Sequence, residues 1–374
     1  MSGTAVFDPD ATPYHTFRIP ALLAIPPTEP ANAPILLAFC EGRVASAGDS
    51  GVIDLVLRRS LDGGRTWEPL QVVSSVAGKT SGNPAPIQDP ASGDLVLLSV
   101  QNGADVDEHA LATGHADPAD TRRVMLQRST DLGVSWSAPT EITDTVKRPD
   151  WGWYATGPCH GIALRHGPHR GRLVVPANHS RLPAGDIADD QLPPLNGGHA
   201  ILSDDGGHSW RIGFVDDNDE TAVNANESTV AELTDGRLVF NARNHRPDSD
   251  THRVQAISTD GGETLTGPYQ PCPTIASPQI QASMISPDGH TLLLSTPAPD
   301  RREDLTVYVS TDAGSWRRGP VINPGPSGYS DLTQLGDDRI GVLYETGDSV
   351  SHERICFDTW TVTELTDPSK GPSL

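Results

Sequence analysis

The feature that most constrains the fold is a motif of eight residues that recurs along the chain. SLDGGRTW at 60–67, STDLGVSW at 129–136 and SDDGGHSW at 203–210 share the pattern Ser-x-Asp-x-Gly-x-x-Trp. Two altered copies follow, STDGGETL at 258–265 and the shortened STDAGSW at 310–316. The five copies begin 52 to 74 residues apart. Internal repetition at such intervals is typical of repeat architectures.

Each copy predicts a tight corner between two strands. The Asp carboxylate accepts hydrogen bonds from the backbone of the turn, as Asx side chains do. The Gly supplies a positive φ, which a residue with a Cβ adopts only at a cost. The Trp then packs back as the next strand leaves, so that each corner has a small hydrophobic plug. A corner of this kind says nothing about function, because fold and function separate.

Strand-like segments flank the corners, and no segment has a sustained helical period. Examples are DLVLRRS, DLVLLSV, RVMLQRS, RLVFNAR and RIGVLYE. Sheets of about four strands that repeat every 50–70 residues or so fit a β-propeller. At about 60 residues per blade, 374 residues make six blades. We therefore expect residues 1–374 to form a single all-β, six-bladed propeller. The blade that joins the two termini carries no corner motif.

Composition excludes several classes of partner. The chain has 49 Asp and Glu against 27 Lys and Arg, a net charge of −22. Nucleic acids and anionic membranes both require a basic surface, so we expect neither as a partner. No apolar run approaches the roughly 18 residues of a membrane span. The N-terminus lacks the basic and apolar regions of a signal peptide, which predicts a cytoplasmic protein, or a secreted one if the chain was trimmed from a longer precursor.

Cysteines and acidic runs give no sign of a metal. The four cysteines are Cys40, Cys159, Cys272 and Cys356. They lie far apart with no CxxC pair, which favours free, mostly buried thiols over a disulfide framework or a structural zinc site. The acidic runs at 105–109 and 216–220 lack the spacing of a calcium loop. We expect no metal and no cofactor.

Three arginines stand at strand ends of different predicted blades. They are Arg18 in FRIPAL, Arg243 at the end of RLVFNAR and Arg302 in DRREDL. Guanidinium groups brought together without partners would repel one another, but together they can receive an anion, since each presents a rigid fork that matches a carboxylate. On a chain with a net charge of −22, such a site has to be purpose-built. The hypothesis is that these side chains converge on the propeller axis.

FRIP, the Asp-containing corners and the arginine positions resemble the exo-α-sialidases (neuraminidases) of the bacterial and animal type. The resemblance covers nearly the whole chain. In that family three arginines bind the C1 carboxylate of sialic acid, and they correspond here to Arg18, Arg243 and Arg302. The choice of Arg302 over its neighbour Arg301 rests on the RxDL spacing before the following strand.

The resemblance also implies the catalytic residues. EGRVASAGDSGV is similar to the family segment that carries the acid/base Asp, which implies Asp49, with Arg43 lining the pocket. NANESTVAEL implies Glu227 as the catalytic Glu, and SGYSDL implies Tyr329 as the nucleophile. Glu345 in VLYE matches the buried Glu that holds the first arginine in place.

Two loops resemble segments that line sialidase pockets. SGNPAP contains Asn83, and WGWYATGPCHG contains Tyr154 and His160. By the resemblance, these residues contact the glycerol and N-acetyl groups of the sugar. Purely structural turns explain both segments equally well.

The chemistry accounts for these residue types. The anomeric carbon of sialic acid bears a carboxylate, so an anionic nucleophile would approach against that charge, whereas a neutral phenol avoids the repulsion. A phenol has a pKa of about 10 and needs an adjacent base, a role for Glu227. Asp49 would protonate the leaving oxygen and later activate water. A covalent intermediate that water then opens predicts retention of configuration.

The sequence thus predicts a retaining exo-α-sialidase that acts on terminal α-linked sialic acids of glycoconjugates or oligosaccharides. A trans-sialidase, or an intramolecular one that releases an anhydro product, would carry the same residues. A lectin that keeps the corners alone would need neither the Tyr329–Glu227 pair nor an acid at Asp49. Linkage preference, the type of sialic acid and the oligomeric state stay open.

Overall fold

The computed structural model describes residues 3–27, 29, 33–182, 196–217, 223–246, 249, 251–299, 301–336 and 338–370. In chain order the strands are β1 (Thr4–Phe7), β2 (Thr16–Ile25), β3 (Ile35–Arg43), β4 (Ile53–Ser60), β5 (Gln71–Ser74), β6 (Lys79–Gln88), β7 (Leu95–Gly103), β8 (Arg123–Ser129), β9 (Thr140–Glu141), β10 (Trp151–Thr156), β11 (Ile162–Ala163), β12 (Leu173–Arg181), β13 (Asn196–Ser203), β14 (Arg211–Asp216), β15 (Ala225–Glu232), β16 (Leu238–Asn244), β17 (Arg253–Ser258), β18 (Gln270–Pro271), β19 (Ser283–Ile285), β20 (Leu292–Thr296), β21 (Glu303–Ser310), β22 (Arg317–Gly336), β23 (Arg339–Thr346) and β24 (Arg354–Thr361). The helical segments are α1 (Glu108–Thr113), α2 (Thr143–Val146), α3 (Val362–Thr366) and two short 3₁₀ turns, Pro9–Ala11 and Pro368–Lys370.

These strands form the six blades of a β-propeller. Blades I and II contain β2–β5 and β6–β9, and they are linked through one parallel pair between β4 and β6. Blade III contains β10–β14, with β10 and β11 both paired to β12, and blade IV contains β15–β18. The long strand β22 pairs with β21 in blade V through its first half and with β23 in blade VI through its second. Apart from the β4–β6 link, all of the strand pairs among the described residues are antiparallel.

The ring closes through side-chain packing and through the first strand. β1 pairs with β24, so the N-terminal segment completes blade VI. Six hydrophobic clusters each join one pair of neighbouring blades, including I with II and VI with I. Such a ring leaves only short strand edges, which suits a chain made of many short strands. The expected all-β, six-bladed fold is confirmed.

The repeated corners have the predicted geometry. Asp62 accepts the backbone N–H groups of Arg65 at 3.0 Å and Thr66 at 2.9 Å, and Ser60 Oγ accepts that of Gly64 at 2.8 Å. Gly64 has a φ of 92°. The other four corners repeat this pattern. They join the third and outer strands of blades I to V, so blade VI is the one without a motif.

The corner tryptophans seal the joints between blades. Trp67 of blade I meets the Phe357 ring of blade VI at 5.4 Å between centroids, and Trp136 of blade II meets Phe39 of blade I at 5.6 Å. Trp210 belongs to the cluster between blades II and III, and Leu265, which replaces a Trp, packs between III and IV. The motif therefore fixes each of blades I to V to the blade before it.

Three further expectations can be compared with the structure. All four cysteines are free and buried. No helix within the described ranges has the length and apolar character needed to cross a membrane. The acidic run at 105–109 starts a helix, because Asp107 caps α1 by accepting the Ala110 N–H at 2.8 Å. Residues 218–220 of the second acidic run, like most of the loop at 181–198, lie outside the described residues.

Candidate functional site

Irregularities in the innermost strands of the blades shape the candidate site at one end of the propeller axis. A shift of register interrupts β2, β6, β10, β15 and the second half of β22. Such bulges leave residues unpaired and re-aim their side chains, and they are frequent beside active sites. The residues within these bulges include Ile19, Asn83, Glu227 and Tyr329. Ile19 has a φ of 60°, a costly conformation for a β-branched residue.

Tyr329 and Glu227 form the centre of the site. The Tyr329 hydroxyl donates to Glu227 Oε1 at 2.6 Å, although the two residues come from blades VI and IV. Both residues are buried. Burial raises the pKa of Tyr329, and the Glu227 charge adds to this against the opposing effect of Arg243, Arg18 and Arg302. The phenol is therefore protonated at neutral pH, with a carboxylate placed to take its proton.

Three arginines from three blades surround this phenol. The Arg243 Nη1 atom lies 3.0 Å from Glu227 Oε2 and 3.5 Å from the Tyr329 hydroxyl oxygen. The Arg18 and Arg302 guanidinium carbons lie 5.3 and 5.8 Å from the centroid of the Tyr329 ring. Arg301, the neighbour of Arg302, has a side chain that is 75% exposed and lies 3.8 Å from Glu303. The structure thus brings together the three arginines that were selected from the sequence.

Glu345 fixes both Arg18 and the strand that carries Tyr329. Its Oε1 accepts from Arg18 Nε at 2.7 Å and from the Ile19 backbone N–H at 2.9 Å. Its Oε2 accepts from the Tyr329 backbone N–H at 3.0 Å. Glu345 is fully buried, so this one carboxylate ties the bulge of blade I to the bulge of blade VI.

Asp49 extends from the loop between β3 and β4 beside the arginines. Its Oδ1 lies 2.7 Å from Arg43 Nη2, which also contacts Glu41 Oε2 at 2.7 Å. The Asp49 side chain is 78% exposed, so it can reach a bound molecule. Desolvation by the surrounding protein acts to raise the pKa of Asp49, although the side chain stays accessible, but the attraction of Arg43, with that of Arg18, outweighs this effect and lowers it.

The three remaining predicted residues, Asn83, Tyr154 and His160, lie in different surroundings. Asn83 lies in the bulge of β6, with a φ of 52° and 8% of its surface exposed. Tyr154 is fully buried in the cluster between blades II and III. A shift of register separates Trp151 from Tyr154 in β10.

His160 lies deeper, on the propeller axis. Its Nδ1 is 2.7 Å from Asp331 Oδ1, and its backbone N–H donates to Asp331 Oδ2 at 3.1 Å. Asp331 also accepts from the Leu22 N–H at 2.8 Å and from Ser283 Oγ at 2.7 Å, so it ties four blades together. Cys159, His160 and Asp331 could in principle hold a metal ion. Both Asp331 oxygens are already engaged in hydrogen bonds, so a structural role accounts for the cluster.

The structure also identifies residues that sequence reasoning missed. Arg122, just before β8, is buried and stacks on the Trp153 ring at 4.1 Å. Desolvation raises the pKa of Glu108, at the start of α1, against the charges of Arg243 and Arg122, which act to lower it. Both residues stand in or beside the polar insertion at 103–121, which offers no local motif.

Comparisons with known proteins find relatives over nearly the whole chain. The BNR repeat-like domain matches residues 35–343. The chain is similar to a sialidase of Micromonospora viridifaciens, with 32% identity over 91% of this chain, and it spans about half (51%) of that protein. It is 30% identical to sialidase-3 of Bos taurus, covering 95% of this chain and 92% of that protein. The Hadza microbial sialidase Hz136 superposes with a TM-score of 0.80 and 27% identity, over 97% of this chain and 69% of that one.

Proposed function

The chain belongs to the sialidase family of glycoside hydrolases, and on this premise we propose that it is a retaining exo-α-sialidase. Its substrates are terminal α-linked sialic acids of glycoconjugates or oligosaccharides. The observation that carries this proposal is the 2.6 Å contact between Tyr329 and Glu227, enclosed by arginines from three blades.

The arginines account for recognition of the substrate. A sialic acid differs from neutral sugars by its carboxylate, and guanidinium forks match that group in charge and shape. Arg18 is held by Glu345 at 2.7 Å, which leaves its terminal nitrogens for an anion. When these arginines bind the carboxylate of a sialic acid, that carboxylate lies over the Tyr329 ring. The anomeric carbon of the sugar then lies close to the phenol. Such positioning supplies much of the rate of an intramolecular step.

Tyr329 is the nucleophile and Glu227 its base. As the phenol oxygen attacks the anomeric carbon, its proton passes to Glu227, and the bond to the leaving oxygen breaks. Asp49 protonates that leaving oxygen, then takes a proton from the water that opens the tyrosyl–sugar bond. Two inversions at one carbon give net retention. Most glycoside hydrolases use two carboxylates, and sialidases with a Tyr nucleophile are an exception. The charge of the substrate explains this exception, because a carboxylate nucleophile would be repelled by the carboxylate of the sugar.

Hydrolysis of a fluorogenic α-sialoside by the purified protein tests this proposal. Glu227→Gln is expected to lower kcat by about 10²–10⁴-fold, the usual contribution of a general base, and Tyr329→Phe by more, with binding of the substrate retained. Wild-type turnover in Tyr329→Phe would refute the assigned role. Absence of activity across several sialic acids between about pH 4 and 8 would leave the lectin alternative.

Two further measurements sharpen the test. Arg302→Ala is expected to raise KM far more than the matched control Arg301→Ala, because Arg301 points to solvent. The opposite ranking would show that Arg302 is not the third arginine. Nuclear magnetic resonance of the first product distinguishes an α-anomer of free sialic acid, which a retaining hydrolase releases, from an anhydro sugar or a transfer product.

A further inference from the structure

Arg122 is a buried cation without an ionic partner among the described residues. Only 4% of its surface is exposed. Its guanidinium donates to the Tyr154 carbonyl at 2.9 Å, to the Asn102 side-chain oxygen and to Asn83 Oδ1 at 2.8 Å. The Trp153 ring covers one face of it at 4.1 Å. A charge buried among neutral acceptors costs free energy, so a role beyond packing is expected.

The structure clamps Asn83 from three blades. Its backbone N–H donates to Glu41 Oε1 at 3.0 Å, and its carbonyl accepts from Thr156 Oγ1 at 2.6 Å. Its side-chain oxygen accepts from Arg122. The other oxygen of Glu41 holds Arg43, which in turn contacts Asp49. Asn83, which lies in the β6 bulge, therefore belongs to the same hydrogen-bonded framework as Asp49, the acid/base candidate.

The contact with Arg122 decides which way the Asn83 amide points. A guanidinium group only donates hydrogen bonds, so the amide oxygen has to face Arg122. The Nδ2 amino group consequently faces the opposite way. In the described part of the chain, Nδ2 has no hydrogen-bond partner. It is also not fully buried, since it is absent from the buried polar atoms that lack a partner. It is a solvent-accessible donor held in a fixed direction.

We propose that Arg122 is a positioning residue that fixes the Asn83 carboxamide so that Nδ2 donates a hydrogen bond to a carbonyl oxygen of the bound sugar, a group that only accepts. This inference rests on the proposed sialidase function and names a determinant of its specificity. Without Arg122, the amide can rotate by half a turn and present its oxygen to the same acceptor. The pocket would then lose a donor and gain a repulsive contact.

A double-mutant cycle tests this inference. Arg122→Met removes the donors at nearly constant length. Asn83→Gly removes the carboxamide without strain, because Gly tolerates the φ of 52° at this position. Each single variant is expected to raise KM roughly 5- to 50-fold, the effect of one lost hydrogen bond in a buried site. The kcat should change by less than about threefold, because Tyr329 and Glu227 are untouched.

The combination of the two variants separates positioning from a merely structural role. If Arg122 acts through Asn83, adding Arg122→Met to Asn83→Gly raises KM by no more than about twofold further. The control is Arg123→Met, which removes an exposed neighbour that contacts Glu141 at 3.3 Å, and it should keep the wild-type KM. Multiplicative losses in the double variant, or a wild-type KM in Asn83→Gly, would overturn the inference.

One more variant covers the case in which Arg122→Met fails to fold. Asn83→Asp keeps the contact to Arg122 but replaces the Nδ2 donor with an acceptor, so its KM should rise at least as much as in Asn83→Gly. A wild-type KM in Asn83→Asp would refute the inference. Failure of the proposed function looks different, because the wild-type protein would then hydrolyse no sialoside at all.

Discussion

Replacement of Glu345 by Gln perturbs the framework that holds both Arg18 and Tyr329. The carboxylate accepts three hydrogen bonds, two on Oε1 and one on Oε2. Gln can keep the two on Oε1, but its amino group then faces the Tyr329 N–H. One backbone donor is left unpaired at a cost of about 1–3 kcal/mol, and the buried Arg18 loses its countercharge, which raises the cost toward 3–5 kcal/mol.

These figures translate into measurable shifts. We expect Glu345→Gln to lose about 3 kcal/mol of stability. Unfolding a chain of 374 residues carries an entropy of roughly 0.8 kcal/mol/K, so the Tm should fall by about 4 °C. Because Arg18 keeps its hydrogen bond but loses the countercharge that fixes it, KM for a sialoside should rise at least about tenfold, equivalent to 1.4 kcal/mol.

Calorimetry and steady-state kinetics measure both effects. Glu68→Gln is the matched control, since Glu68 is partly exposed and lies 3.4 Å from Arg59, a surface pair worth about 0–1 kcal/mol. Its Tm and KM should stay close to the wild-type values. If Glu345→Gln also kept the wild-type Tm and KM, the role assigned to this carboxylate would be wrong.

Three more predictions concern the pH dependence and the frame. Arg43 lowers the pKa of Asp49 against the effect of desolvation. Arg43→Met should therefore raise that pKa and move the alkaline limb of the kcat/KM profile to higher pH. An unchanged profile would argue against Asp49 as the acid. Trp210→Ala, which empties a blade joint, should cost about 3–5 kcal/mol in urea unfolding, and wild-type stability would contradict the plug. Burial lowers the pKa of His179 and of His199, whose Nδ1 atoms lie 3.0 Å apart. Both stay neutral when folded, so stability should fall as the pH drops below about 6.5, by up to about 1.4 kcal/mol per pH unit for each histidine. His199→Gln should flatten this fall, and an equally steep loss in the variant would contradict it.

The repeat made the fold predictable because each corner is a local structure. The hydrogen bonds of Asp62 and Ser60 span at most four residues, so the sequence contains all of the information for the turn. What the sequence did not contain is the direction in which the corner Trp packs. Trp67 meets Phe357, and a contact between residues so far apart in sequence depends on closure of the ring.

The site could be predicted where a motif carries the functional residue, and less well elsewhere. Tyr329 and Glu227 stand in recognisable segments, and the structure brings them together. Tyr154 is buried in the cluster between blades II and III, next to a bulge in β10, and a bulge has no clear sequence signal. Arg122 was missed because its partners, among them Asn83, become neighbours only in the folded sheet.

Trapping of the intermediate tests the central claim most directly. A sialosyl donor with a fluorine next to the anomeric carbon and a good leaving group slows hydrolysis of the intermediate, so the sugar accumulates on the nucleophile. After digestion, mass spectrometry should find the added sialosyl mass on the peptide that contains Tyr329, and Tyr329→Phe should remove it. A label on another residue, or steady turnover of this donor with no label, would contradict attack by the phenol.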